Sequence, residues 1–228
     1  MAVGFAGFPP EALKFLRRLK RNNNRDWFLA NKELYEEKVK GPMVDLVLAL
    51  GGAMQSFAPE MIVDPKKAIY RINRDVRFSA DKSPYKTYIS AIFYPRGMEK
   101  NSSSVFYFHF SPEELLIAGG VYMPGSKELR AIRQHIADHS ERFRAILNKK
   151  EFKRTFGEMW DERLTRAPMG FAPDHEAIDL LRYKHYLVSV REKPEFVEGP
   201  KLFPRLLTCF SLMVPFVRFL NEPLKRKL

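Results

Sequence analysis

Apolar positions along this chain recur with two periods, and the change of period separates helical from extended stretches. Pro9 and Pro10 suit a first helical turn, and after them Ala12, Phe15, Leu16 and Leu19 repeat at the spacing of one helix face. Asn22-Asn23-Asn24 is expected to end this helix and cap a second one, which carries Trp27, Phe28, Leu34 and Tyr35. Gly41-Pro42 is expected to break the pattern before a third helix with Met43, Val47, Leu50, Met54 and Phe57 in line. The Trp27 cluster and these stripes read as core.

The period then drops to two. Ala68 to Ile72 reads as a short strand, and Thr87 to Tyr94 as a longer one rich in β-branched and aromatic residues. After a loop over 95–104, Val105 to Phe110 alternates, with Phe106, Phe108 and Phe110 on one face and Val105, Tyr107 and His109 on the other. Ser111-Pro112-Glu113-Glu114 turns the chain and Leu115 to Tyr122 returns. Links this short imply antiparallel pairing, because a parallel crossover needs roughly a dozen residues. A fifth strand is available from Tyr186 to Arg191.

Helical spacing resumes with Leu129, Ile132 and Ile136, then Phe143, Ile146 and Leu147, then Lys149 to Phe156. Residues 157–173 look irregular, Asp174 is placed to cap a short helix through Leu181, and 192–200 reads as a loop. A last helix carries Phe203, Leu206, Phe210, Val214 and Val217, with Pro215 expected to kink it. The pattern describes a single α+β domain over 1–228, with helices packed on an antiparallel sheet of about four to five strands.

Composition sharpens this picture in three ways. With 45% hydrophobic residues and 19 Phe among 228, the chain has ample material for a core, so disorder is excluded. The single cysteine, Cys209, rules out an intramolecular disulfide and a cysteine-based zinc site; it lies in an apolar run and reads as a buried, inert thiol. Lys and Arg outnumber Asp and Glu by 39 to 27, a formal charge of +12, which favours polyanionic or acidic partners. The start lacks a signal-peptide pattern, and the apolar run from Leu206 to Val217 looks too short to span a bilayer, so a cytoplasmic protein with no membrane association is expected.

The candidate chemistry concentrates in residues 69–88. Arg71, Arg74, Arg77, Lys82 and Lys86 stand close together, with only Asp75 and Asp81 among them, a balance of about +3. Tyr70, Phe78, Tyr85 and Tyr88 are interleaved. Arginine presents a planar fork of donors matched to carboxylate or phosphate, and lysine adds a mobile point charge. On a straight strand Arg71 and Arg77 would share a face and Arg74 would oppose them; a loop could gather all three or scatter them. Two acids cannot neutralise five cations, so an outside anion, or acids from elsewhere in the chain, must balance the stretch.

The spacing Arg71-x-x-Arg74-Asp75-x-Arg77-Phe78, then Asp81-Lys82-x-x-Tyr85-Lys86, resembles the signature of the domain-of-unknown-function family DUF2461, an uncharacterised bacterial family. The Phe15-to-Phe28 run and the Gly119-Gly120 to Pro124 segment extend the resemblance over about residues 5–222. The resemblance implies that the motif matters to the family. It brings no activity, substrate or catalytic residue.

Other signals are weaker. Gly120 to Lys127 has Ser126 before Lys127, the reverse of a phosphate loop, so a strand-to-helix turn is expected. His135 and His139 are one helical turn apart but lack a third ligand, so no metal is expected; no cofactor motif stands out either. His109 reads as a satisfied strand histidine, with a pocket-facing role as the sharper alternative. The expected function is binding of a small anionic ligand through Arg71, Arg74, Asp75, Arg77, Asp81, Lys82, Tyr85 and Lys86. Any chemistry there would use Asp75, Tyr85 or His109. The alternatives are a nucleic-acid-binding module, with Tyr70, Phe78 or Tyr85 stacking on bases, and a structural motif in a protein that acts through a protein partner.

Overall fold

The computed structural model describes residues 4–225. In chain order the elements are α1 (Pro10–Arg21), α2 (Arg25–Ala30), α3 (Lys32–Tyr35), a π-helical turn (Glu36–Lys40), α4 (Gly41–Met54), β1 (Met61–Ile62) and α5 (Pro65–Ala68). They continue with β2 (Ile89–Pro95), β3 (Val105–Phe110), β4 (Leu115–Val121), α6 (Ser126–Asp138), α7 (Ser140–Leu147), α8 (Lys150–Phe156) and α9 (Ile178–Leu181). The chain ends with β5 (Tyr186–Glu192), a 3-10 turn (Pro194–Glu198), α10 (Leu202–Asn221) and a second 3-10 turn (Glu222–Leu224). The strands form one antiparallel five-stranded sheet in sequence order, so the fold class is α+β.

The described residues form two compact units: 4–93, 107–117 and 191–208 in the first, and 94–106, 118–190 and 209–225 in the second. Strands β2 to β5 each contribute residues to both units.

In the first unit, α1 buries Ala12, Leu13, Phe15, Leu16 and Leu19 and leaves its basic residues outside. Phe15 meets Trp27, Phe28 and Tyr35 at ring separations of 5.6, 6.3 and 5.7 Å. Phe93, Phe108 and Phe110 form the apolar sheet face, and Phe8 packs on Phe110 at 4.5 Å. Each fully buried Phe contributes roughly 1.5–3 kcal/mol. In the second unit, Phe143 stacks between Phe216 at 5.8 Å and Phe219 at 4.8 Å, and Phe106 stacks on Phe210 at 5.1 Å. Cys209 is buried there. Gly120, at φ 128°, passes so close to β5 that a Cβ would stand 2.0 Å from the Tyr186 carbonyl oxygen.

Several local expectations are corrected. Gly41-Pro42 does not break the chain. Pro42 has no N–H to close an α-turn, and the π-turn before it absorbs the misfit, with the Gly41 N–H reaching back five residues to Glu36. Ala68 to Ile72 is not a strand. Asp64 accepts the Lys66 N–H at 2.9 Å and Pro65 takes the first helical position, so a short helix forms through Ala68. Beyond it the chain pairs only through isolated bridges, Ile69 with Ala91 and Asn73 with Tyr85. Asp174 caps nothing; α9 starts at Ile178, and His175 Nδ1 accepts the Ala177 N–H at 3.1 Å instead. Residues 194–198 are a 3-10 turn inside the expected loop.

The helix around Pro215 is longer than the apolar run suggests. Residues 202–224 are long and apolar enough to cross a membrane by length and composition, and 56% of the most apolar 18-residue window is buried inside the protein. That burial suits a core helix equally.

Candidate functional site

The motif folds into an irregular hairpin. Its arms pair through Asn73 and Tyr85, with the Arg74 N–H donating to the Pro84 carbonyl at 2.9 Å and the Lys86 N–H to the Ile72 carbonyl at 2.8 Å. Asn23, in the turn between α1 and α2, holds the second arm. Its amide donates to the Tyr85 carbonyl at 2.9 Å and its carbonyl accepts the Tyr85 N–H at 3.1 Å, so one side chain substitutes for a neighbouring strand. The Tyr85 ring is buried and stacks on Phe28 at 4.1 Å, which removes it from the groups available for stacking on a ligand.

Two of the motif's five cations meet an acid inside the loop. Arg74 pairs with Asp81 and donates to the Ser83 carbonyl at 3.2 Å and to Ser79 Oγ at 3.3 Å. Arg77 grips Asp75 through two bonds, Nε to Oδ1 at 3.0 Å and Nη2 to Oδ2 at 2.7 Å. Lys82 donates to the Val76 carbonyl at 3.0 Å. Asp81 also accepts the Ser83 N–H at 2.9 Å, an Asx turn that helps close the loop. The bonds from Ser83 and Arg74 hold the Asp81 carboxyl at about 2, and the Arg77 fork lowers Asp75. The three arginines therefore do not converge: Arg74 and Arg77 each take an acid of the same loop.

Arg71 and Lys86 are left over. Arg71 is exposed and has no carboxylate partner among the described residues, although its field reaches Asp75 and Lys86. Lys86 is half-buried, with Nζ 5.0 Å from the Tyr70 ring centre and 5.9 Å from that of Tyr88, and likewise no carboxylate among the described residues. The aromatic faces favour its ammonium form, by about 0.5–1 kcal/mol each at an exposed site and more when desolvated. Burial and then the Arg71 charge oppose this and lower Lys86 below the usual lysine value. Burial raises the Tyr70 phenol, so Tyr70 supplies no negative charge at neutral pH.

Lys86 borders a hollow of about 640 Å³, lined also by Lys20, Asn23, Arg74, Asp75, Asp81, Ser83, Tyr85, Thr87 and Tyr88. Five of the eight residues expected from the sequence, Arg74, Asp75, Asp81, Tyr85 and Lys86, are on its wall. Arg71, Arg77 and Lys82 are not. Lys20, which no motif pointed to, is paired with Glu113.

A second polar group adjoins it on the same sheet face, opposite the Phe residues. Tyr88 contacts the His109 ring at 5.2 Å, and His109 Nδ1 lies 3.1 Å from the Tyr107 hydroxyl. His109 Nε2 is 3.6 Å from Glu114, which takes Arg191 at 2.8 Å. Burial outweighs the Glu114 charge and lowers the His109 pKa, so the ring is neutral at pH 7. Tyr107, also bonded to Ser90, is raised by burial. The alternation of β3 placed His109 and Tyr107 on this face; Tyr88 comes from just before β2, Glu114 from the turn before β4, and Arg191, which holds Glu114, from β5.

A hollow of about 200 Å³ in the second unit holds Arg144, paired with Asp179 at 3.0 and 2.6 Å, and Arg163, bonded to the Tyr183 hydroxyl at 2.6 Å. His135 and His139 have ring centres 4.7 Å apart, and His135 Nε2 lies 3.0 Å from Glu222. Among the described residues no group of three or more His, Cys, Asp or Glu is placed to hold a metal ion. At the start of α6 the Glu128 carboxylate lies against Gly125, where an anion would otherwise sit.

Residues 11–219 match a family model described as conserved hypothetical protein, DUF2461. No curated protein matches the chain in sequence.

Proposed function

The chain belongs to the DUF2461 family, a description that carries no activity, and we propose from the site itself that it binds a small ligand bearing a carboxylate or phosphate. The hollow beside the motif hairpin is the binding site. Lys86 is the main charge partner and Arg71 adds to the positive field at its edge. The observation that carries this reading is the half-buried Lys86, which lines a 640 Å³ hollow and has no carboxylate partner among the described residues. A buried cation normally has a partner, and an anionic ligand would supply the missing one. The Arg74–Asp81 and Arg77–Asp75 pairs hold the loop in shape rather than gripping the ligand.

Calorimetry and thermal shift against inorganic phosphate, sugar phosphates, nucleotides and dicarboxylates test this. A ligand at one hundred times its Kd stabilises by about 2.7 kcal/mol, roughly 5–11 °C for a chain this long. One ligand class should produce such a shift. Lys86→Met should abolish it, and Arg77→Ala should change affinity less than about threefold. Absence of a shift with every anion, or equal binding by Lys86→Met, would overturn the reading.

A further inference from the structure

We propose that Lys86 is a nucleophilic amine that condenses reversibly with the aldehyde or keto carbon of a ligand carrying a carboxylate or phosphate. This rests on the anion site above and names its ligand class more closely. Three features set Lys86 apart. It lines the larger of the hollows described above. Among the described residues no acid pairs with it: Asp75 and Asp81 line the same hollow, but Arg77 and Arg74 occupy those carboxylates. Its side chain is half-buried, with Nζ 5.0 Å from the Tyr70 ring centre and 5.9 Å from that of Tyr88.

A lysine amine becomes a nucleophile when desolvation or a neighbouring cation disfavours its protonated form, and both act here. The lowered Lys86 pKa agrees with this arrangement. Lys20, which also lines the hollow, is paired with Glu113.

The chemistry balances without an outside redox partner. The neutral Nζ lone pair attacks the carbonyl carbon, and the C=O π pair moves to oxygen to form a carbinolamine after proton transfer. Loss of one water leaves an imine between Nζ and the former carbonyl carbon, and addition of water reverses it. The ligand's carboxylate or phosphate stays on the molecule and supplies the charge that the site lacks. The protonated imine then retains positive charge at the position of Lys86.

Reductive trapping tests the assignment. The protein is incubated at pH 7.5 with glyoxylate, pyruvate or glycolaldehyde phosphate and treated with sodium cyanoborohydride, which reduces an imine to a stable secondary amine. Peptide mapping then compares Lys86 with the exposed Lys32 and Lys150. At least one probe should label Lys86 ten-fold or more faster than those controls, and a non-carbonyl anion such as phosphate or oxalate should slow that labelling. Lys86→Arg keeps the charge but cannot form the imine, so it should lose the adduct at this position. Anion stabilisation in wild type with Lys86 labelled no faster than the controls would overturn the nucleophile while leaving the anion site standing. Neither stabilisation nor selective labelling would overturn both.

Discussion

The charge balance at Asp81 decides whether the motif hairpin closes. Its carboxyl takes the Ser83 N–H and the Arg74 guanidinium, and these hold it at about 2, below the ordinary aspartate value near 3.9. A carboxyl lowered on folding stabilises the fold above its unfolded pKa, and that contribution is lost as pH falls through the folded value. The loop should therefore loosen between about pH 4 and pH 2. Amide exchange at Ser83 should rise over that window in the wild type. In Asp81→Asn it should already be fast at pH 5 and show no such step. Identical behaviour of the two proteins would refute the brace.

The element on which the site depends is the turn between α1 and α2. Asn24 caps α2 by accepting the Trp27 N–H at 2.9 Å, which leaves Asn23 directed at the backbone of Tyr85. The second unit contains a similar device: Asn221 accepts the Ser104 N–H at 2.7 Å and donates to its carbonyl at 2.9 Å. In each case one amide side chain satisfies a donor and an acceptor that no strand covers. Net hydrogen-bond worth is about 0.5–1.5 kcal/mol each, so Asn23→Ala should cost on the order of 1–3 kcal/mol. Denaturant unfolding measures that cost, and ligand titration should show weaker binding because Lys86 directly follows Tyr85. A stability change below about 0.3 kcal/mol would mean that water replaces the Asn23 bonds without loss.

At the scale of the whole molecule, the +12 charge attracts any polyanion, whatever the site does. Phe78 is 95% exposed beside Arg77, so the loop tip offers a ring to a base. Such attraction works through exposed charges and falls steeply with salt, whereas a half-buried cation is screened less. Retention of a short single-stranded oligonucleotide should therefore fall at least ten-fold between about 50 and 200 mM salt. Binding of the small anion at Lys86 should change less than about three-fold over the same range. If the two curves fall together, the small-anion binding is itself a surface effect and the hollow is not its site.

Periodicity alone determined the class of the fold. The run Val105 to Phe110 sorts its side chains to two faces because a strand alternates, and the short turn at 111–114 forces an antiparallel return. The stripe from Ala12 to Leu19 buries because its spacing puts apolar groups on one side of a helix. The sequence also singled out residues 69–88, since five cations with two acids are conspicuous without any structure. It did not decide which cation is free. That depends on which acids the loop brings within bonding distance, and Arg74 and Arg77 took them through contacts made only when the hairpin closes. The residues surrounding Lys86 lie apart in the chain: Lys20 on α1, Asn23 in a turn, Tyr70 before the hairpin and Tyr88 after it. Local pattern carries the information for an element because its contacts lie within a few residues. A hollow is made where distant segments meet, and only the tertiary fold brings those segments together.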